Sequence, residues 1–309
     1  MKTGRVIKST GSWYEVLTET GPVRARLRGK FKQQGLKLTN PVAVGDQVTL
    51  QAESQQETYT IQEIAPRENY VIRKSTRKAH HAHIIASNID QAFLMVTIQQ
   101  PRTSLGFIDR FLVSTESFRI PTTILVNKAD LPLNEAGEEL LQDLHEIYEP
   151  LGYPVLELSA LHEQDLLEGF GPLLRGKTTL LSGHSGVGKS TLLNQLVPGA
   201  RQTTKDISAY SAKGVHTTTF AEMFAVEGLD AFLIDTPGIK EFGVLDIEEQ
   251  ELSHYFVEMR QYLGECKYHN CRHVSEPGCR IIERVEEGYI HPYRYENYVN
   301  LLHEEDTHR

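Results

Sequence analysis

The chain has 309 residues, 39% of them hydrophobic and 24% charged, with 32 Lys and Arg against 41 Asp and Glu for a net charge of −9. That is ordinary for a soluble globular protein and long enough for two or three domains. No apolar run approaches the ~18 residues of a membrane span and no apolar signal core opens the chain, so a cytoplasmic protein that does not engage membranes is expected.

The net charge conceals an asymmetry. Residues 1–78 carry 14 Lys and Arg against 7 Asp and Glu, a balance of +7, and the remainder carries −16. A basic front module on an acidic body suggests that the front meets a polyanion. Within it, 3–9, 12–18, 22–28, 46–52 and 58–65 read as short strands between Gly, Pro and Asn. Five strands in that length suit a closed all-β barrel of the oligonucleotide-binding (OB) type over 1–70. In Val23-Arg24-Ala25-Arg26-Leu27-Arg28 the apolar residues face one way and the arginines the other. Arg24, Arg26 and Arg28, extended by Lys30 and Lys32, are the candidate RNA contacts, and Trp13, Tyr14 and Phe31 are candidates to stack on bases. Residues 71–88 read as a basic linker, with Arg73, Lys74, Arg77 and Lys78 followed by His80, His81 and His83.

From Ile89 strands and helices alternate: strand 89–98, helix 107–119, strand 122–126, helix 134–148, strand 154–158, helix 163–173 and strand 178–182. This predicts an α/β domain over 89–243 with a parallel sheet and its working loops at the strand C-termini. Residues 199–215 show no period and read as a mobile loop. Strands follow at 220–226 and 231–234, then a helix over 246–263, a cysteine cluster, and helices near 280–287 and 293–304.

The strand at 178–182 feeds Gly183-His184-Ser185-Gly186-Val187-Gly188-Lys189-Ser190, with Thr191 next, and then a helix. That is a phosphate loop in its expected setting: glycines let backbone N–H groups close around phosphates, and the helix N-terminus adds its dipole. Lys189 is expected to reach the β- and γ-phosphates and Ser190 to ligate Mg²⁺. Asp235-Thr236-Pro237-Gly238 ends another strand. Asp235 is expected to hold Mg²⁺ through water, and the Gly238 N–H to meet the γ-phosphate. In Asn127-Lys128-Ala129-Asp130 the Asp130 carboxylate matches the N1–H and N2–H₂ donors of guanine. Against adenine it would be a buried charge without partners. Ser159-Ala160 is expected to offer a backbone N–H to the guanine O6, and Thr218 a second Mg²⁺ hydroxyl. Together these motifs predict GTP binding.

Their order is unusual. Ordinary GTP-binding domains begin with the phosphate loop, whereas here 127–130 and 158–160 precede it, which predicts a circular permutation of the same sheet. The Gln that orients water in Ras-like enzymes is replaced by Ile239, and His216 is the polar group within reach to orient water or act as a base.

Cys266-x4-Cys271-x-His273-x5-Cys279 offers a Cys₃His set for one structural zinc, with His269 a rival ligand. Residues 244–309 are therefore expected to form a small α-helical domain stapled by metal.

These motifs resemble the RsgA family (also called YjeQ or YloQ), the bacterial ribosome small subunit-dependent GTPases. The resemblance rests on NKAD before GHSGVGKST, on GVHTTT at 214–219, on DTPG, and on the cysteine–histidine spacing. It implies that the hydrolytic histidine is His216 and that Cys266, Cys271, His273 and Cys279 bind zinc. It further implies a protein that binds the small ribosomal subunit and its rRNA, acts late in subunit maturation, and has its hydrolysis of GTP to GDP stimulated there; a monomer is expected. Two rival readings are an RNA chaperone with GTP as a structural ligand, and a metabolic P-loop kinase or ATPase, which Asp130 opposes.

Overall fold

The structure, a computed structural model, describes residues 1–27, 41–53, 58–74, 82–161, 163–198, 200, 221–236 and 247–306. Five strands close the N-terminal barrel: β1 (Lys2–Ser9), β2 (Tyr14–Thr18), β3 (Gly21–Leu27), β4 (Gln47–Ala52) and β5 (Thr58–Ile64). They pair in the order β1-β2-β3-β5-β4, and β4 returns to β1. Alternation decides which side chains enter. On β2, Tyr14, Val16 and Thr18 are buried, and Tyr14 and Val16 join Val6, Ala25, Leu50 and Ile61 in the barrel core. Tyr14 is thus a core residue and is unavailable to stack on a base.

The segment expected as a linker holds a hairpin, β6 (Tyr70–Lys74) and β7 (Ala82–Ser87). Its apolar residues Val71, Ile72, Ile84 and Ala86 are buried, and the Tyr70 ring lies 5.1 Å from that of Phe118. The basic residues between the strands mask this pattern in the sequence. Beneath the hairpin the fully buried Asp46 carboxylate takes both Arg67 nitrogens at 2.7 Å and the Ser87 hydroxyl at 2.6 Å.

The α/β unit comprises β8 (Gln91–Val96), α1 (Leu105–Ser117), β9 (Thr122–Asn127), α2 (Glu135–Tyr148), β10 (Val155–Leu158), α3 (Glu163–Leu174), β11 (Thr178–Gly183), α4 (Lys189–Leu196), β12 (Glu222–Val226) and β13 (Ala231–Asp235). The strands lie in the order β10-β9-β8-β11-β13-β12, parallel except for β12. β8 and β11 are buried along their whole length because helices cover both faces. Successive residues point to opposite layers. Leu94 and Val96 pack with Ile108 and Phe111 of α1 and Leu140 and Leu144 of α2. Phe93 and Met95 pack with Phe170 of α3 and Leu192 and Leu193 of α4. Each such side chain, fully buried, contributes about 1.5–3 kcal/mol. Among the described residues the barrel joins this sheet where Lys8 of β1 pairs opposite Glu222 of β12, fastened by a 2.9 Å ion pair, and where Arg5 donates to the Thr178 hydroxyl at 3.2 Å.

The C-terminal region contains α5 (Arg280–Glu286) and α6 (Pro292–Asp306). The helix expected over 246–263 is not formed: over the described residues 247–263 the chain makes only two short 3₁₀ turns, Leu252–Tyr255 and Arg260–Tyr262. Tertiary contacts override the helical spacing. Phe256 is extended and fully buried, and Glu258 is drawn into an ion pair with Arg294 of α6.

Candidate nucleotide site and metal centre

Strand β11 delivers the chain into the loop at 184–188, and α4 carries it away. Gly183 (φ 148°) and Gly188 (φ 103°) have backbone conformations that side chains rarely adopt, and there is no room for one. A Cβ on Gly183 would fall 2.3 Å from the Met95 carbonyl oxygen, and one on Gly188 2.2 Å from the Asn127 amide nitrogen. Ser185, Gly186 and Ser190 face solvent, while Val187 and Lys189 are buried. His184 is half-buried. Thr191 lies in the first turn of α4, its N–H bonded to the Gly188 carbonyl at 3.0 Å.

Asn127 ties the site together. It is 5% exposed. Its Nδ2 donates to the Val187 carbonyl at 2.7 Å, and its Oδ1 accepts from the Ala160 N–H at 2.9 Å. One side chain thus joins three motifs that lie far apart in the chain. Ala160 N–H, the expected donor to guanine, is here engaged by Asn127. Asp130 is exposed and accepts from the Ser159 hydroxyl at 2.6 Å. Lys128 has a positive φ of 67° and donates to the Gln100 carbonyl at 2.5 Å.

Lys189 donates to the carbonyls of Gly183 and His184 at 2.5 and 2.8 Å. Burial pushes its ammonium down from the ordinary lysine value, with the Asp235 charge opposing. Burial likewise pushes the Asp235 carboxyl up. Lys189 opposes that rise, and Glu222, its cross-strand neighbour, adds to it. Asp235 Oδ1 is buried with no hydrogen-bond partner among the described residues. A buried carboxylate oxygen left open beside the loop suits a cation. Thr236 is buried and donates to the Leu181 carbonyl at 3.1 Å. His216, Thr218 and Gly238 lie outside the described residues.

In the C-terminal region the ligand atoms of Cys266, Cys271, His273 and Cys279 all lie within 4.8 Å of one another, so the group could hold a metal ion. His273 Nδ1 is 3.5 Å from the Cys266 sulfur and 3.4 Å from that of Cys279, and those two sulfurs are 4.0 Å apart. His269 is exposed and outside the group. Burial pushes the Cys271 thiol up to about 12 and the His273 imidazole below its ordinary value. Tyr295 and Tyr298 donate their hydroxyls to the carbonyls of His273 and Arg272 at 2.8 and 2.7 Å, fixing the ligand loop on α6.

On the barrel, Arg24 and Arg26 are exposed on β3, their guanidiniums 4.9 and 5.8 Å from the centre of the Trp13 ring. Arg26 is also held by both oxygens of Glu53, at 3.1 and 2.9 Å. Arg28, Lys30 and Lys32 lie outside the described residues.

A model of the RsgA GTPase family matches residues 64–245, and one of the RsgA N-terminal domain matches 3–60. The chain belongs to the RsgA GTPase family. The small ribosomal subunit biogenesis GTPase RsgA of Cytophaga hutchinsonii is 52% identical over 308 residues, covering 99% of each chain. Its namesake in Bacteroides fragilis is 48% identical over 304 residues, covering 98% of this chain and 97% of that one. Among solved structures, YjeQ from Thermotoga maritima superposes with a TM-score of 0.76 at 34% identity, covering 98% of each chain. YloQ, described as a circularly permuted GTPase, superposes with a TM-score of 0.74 at 32% identity, covering 100% of this chain and 96% of that one. The permuted motif order matches a relative described as a circularly permuted GTPase, and in this chain the barrel precedes and the Cys₃His group follows the matched GTPase region. No helix among the described residues is long and apolar enough to cross a membrane.

Proposed function

We propose that this chain, a GTPase of the RsgA family, hydrolyses GTP to GDP and phosphate on the small ribosomal subunit, as a switch late in its maturation. One observation carries the assignment to the 183–190 loop. The buried Asn127 side chain joins the phosphate loop to both segments suited to guanine, within a family whose relatives are named for small-subunit biogenesis. Asp130 and the 159–160 segment recognise the base. Lys189 leaves the Gly183 and His184 carbonyls for the β- and γ-phosphates. Ser190, Thr218 and the open oxygen of Asp235 are the ligand set for Mg²⁺, which when bound neutralises charge developing on the phosphates. Gly238 meets the γ-phosphate, and His216 orients the attacking water. Arg24, Arg26, Arg28, Lys30 and Lys32 face rRNA, in a cytoplasmic, monomeric protein. The domain limits follow the same division: a barrel to about 70, the hairpin segment, a GTPase domain to 243 and a metal-binding domain from 244.

The metal is zinc. Tetrahedral zinc, at about 2.3 Å from sulfur and about 2.0 Å from nitrogen, requires sulfurs about 3.8 Å apart and sulfur about 3.5 Å from nitrogen. The 4.0, 3.5 and 3.4 Å separations among Cys266, His273 and Cys279 fit that requirement, and Cys271 lies within 4.8 Å of all three. Four protein ligands leave no open position, so the site is structural.

The deciding experiment is steady-state GTP hydrolysis with and without isolated small subunits. A low basal rate that rises many-fold with subunits, and is lost in Lys189→Ala, is the expected result. No rise would remove the subunit as activator. RNA remodelling that survived in Lys189→Ala would favour the chaperone reading.

A further inference from the structure

Helix α1 makes two sets of contacts that nucleotide chemistry leaves unused. In its first turn the Phe107 ring stacks on His184 of the phosphate loop, with centroids 3.6 Å apart and planes inclined by 30°. Pro101, in the segment leading into α1, lies 3.5 Å from where a Cβ on Gly186 would stand. The His184 carbonyl is one of the two that hold Lys189. The start of α1 thus braces one side of the loop.

The other contacts face the metal-binding region. Asp109 is fully buried and accepts from the Tyr148 hydroxyl at 2.7 Å and from Arg294 and Asn297 of α6 at 2.5 Å each. Arg294, 1% exposed, gives its remaining nitrogens to Glu258 at 2.7 and 3.0 Å. Gly106 lies against Asn297, where a Cβ would come to 3.3 Å from Oδ1. Val113 packs in the core of the metal-binding region, while Ile108, Phe111 and Leu112 pack in the core of the sheet. A buried guanidinium shared by two carboxylates tolerates little displacement, because breaking either pair strands a charge away from water. α1 therefore cannot shift against α6 without disrupting the cluster.

We propose that Phe107 is a positioning residue for the phosphate loop, held in place through α1 by the Asp109–Arg294–Glu258 cluster and Asn297. Nucleotide affinity then depends on the metal-binding region, and by linkage a bound nucleotide stabilises that region in return. This rests on the reading of 183–190 as the phosphate site.

The test compares GDP with GMP, titrated into the full-length, metal-loaded protein and its Phe107→Ala and Asn297→Ala variants. GMP lacks the β-phosphate that the loop surrounds, so a braced loop matters more for GDP. Phe107→Ala is expected to weaken GDP by about three- to tenfold, the usual worth of an aromatic pair, and GMP by less. Asn297→Ala, a mild change at a half-buried position, is expected to give the same pattern more weakly and to speed amide exchange across 183–190. The double variant should bind GDP no worse than Phe107→Ala alone, since both act along one helix. Equal losses for GDP and GMP, independent losses that multiply, or unchanged GDP binding in Phe107→Ala would overturn the inference. Failure of the unsubstituted protein to bind GDP would overturn the site reading with it.

Discussion

Asp130 and Asn127 stand three residues apart and have different tasks. Asp130 is exposed and accepts from the Ser159 hydroxyl at 2.6 Å, so an incoming base can reach its carboxylate from solvent. Asp130→Ala removes the acceptor for the guanine donors. It is expected to reduce the preference for GTP over ATP by about a hundredfold, because unpaired polar groups dominate such discrimination; competition of ATP against a fluorescent GDP checks it. Asn127 is buried, and its loss leaves the Val187 carbonyl and the Ala160 N–H without their partner. At about 1–3 kcal/mol for each stranded group, Asn127→Ala should lower the unfolding midpoint as well as weaken GDP more than tenfold. A variant that lost GDP affinity with an unchanged midpoint would confine Asn127 to ligand contact.

Most elements were legible in the sequence because their burial follows one period. β8 and β11 read as continuous apolar runs, β2 and β3 as alternation, and α2 as a stripe, and the structure places a strand or helix at each. The elements that were missed are those whose local pattern misleads. The β6–β7 hairpin hides behind a basic stretch, and helical spacing at 252, 256 and 259 is bent by the Glu258–Arg294 pair. Within the site, the individual loops were legible as motifs, but the Asn127 bridge and the Phe107–His184 stack exist only once the sheet brings β8, β9 and β11 side by side. The Asp46–Arg67 pair belongs to this class too. It ties the barrel to the hairpin, with Asp46 wholly buried and Arg67 10% exposed. Arg67→Met would leave the carboxylate buried and uncompensated, a cost of about 3–5 kcal/mol. Urea unfolding should show that loss, and Asp46→Asn combined with Arg67→Met should recover part of it; a loss under 1 kcal/mol would mean that water reaches Asp46.

Across the whole molecule, two kinds of attachment hold the parts together. The basic barrel is stitched to the sheet by the β1–β12 pairing and to the hairpin by the Asp46 network. The acidic C-terminal region is docked on α1 through a shared core that includes Val113, Phe256 and Tyr298. That core is small, and Cys279 is itself part of it, so a metal held by the Cys₃His group would stabilise the same unit as the apolar packing. Removing the metal exposes three thiols and an imidazole that must then repack without their common partner. The sheet and barrel have cores of their own. Chelation should therefore split unfolding into two steps, an early loss of 247–306 and a later loss of the rest, rather than lower a single midpoint. Amide exchange read by segment resolves the two: 280–306 should lose protection with chelator while 91–96 and 178–183 retain it. If all segments lost protection together, the metal would support the entire chain. If none did, the Cys₃His group would be dispensable to the fold, and its closed geometry would need another explanation.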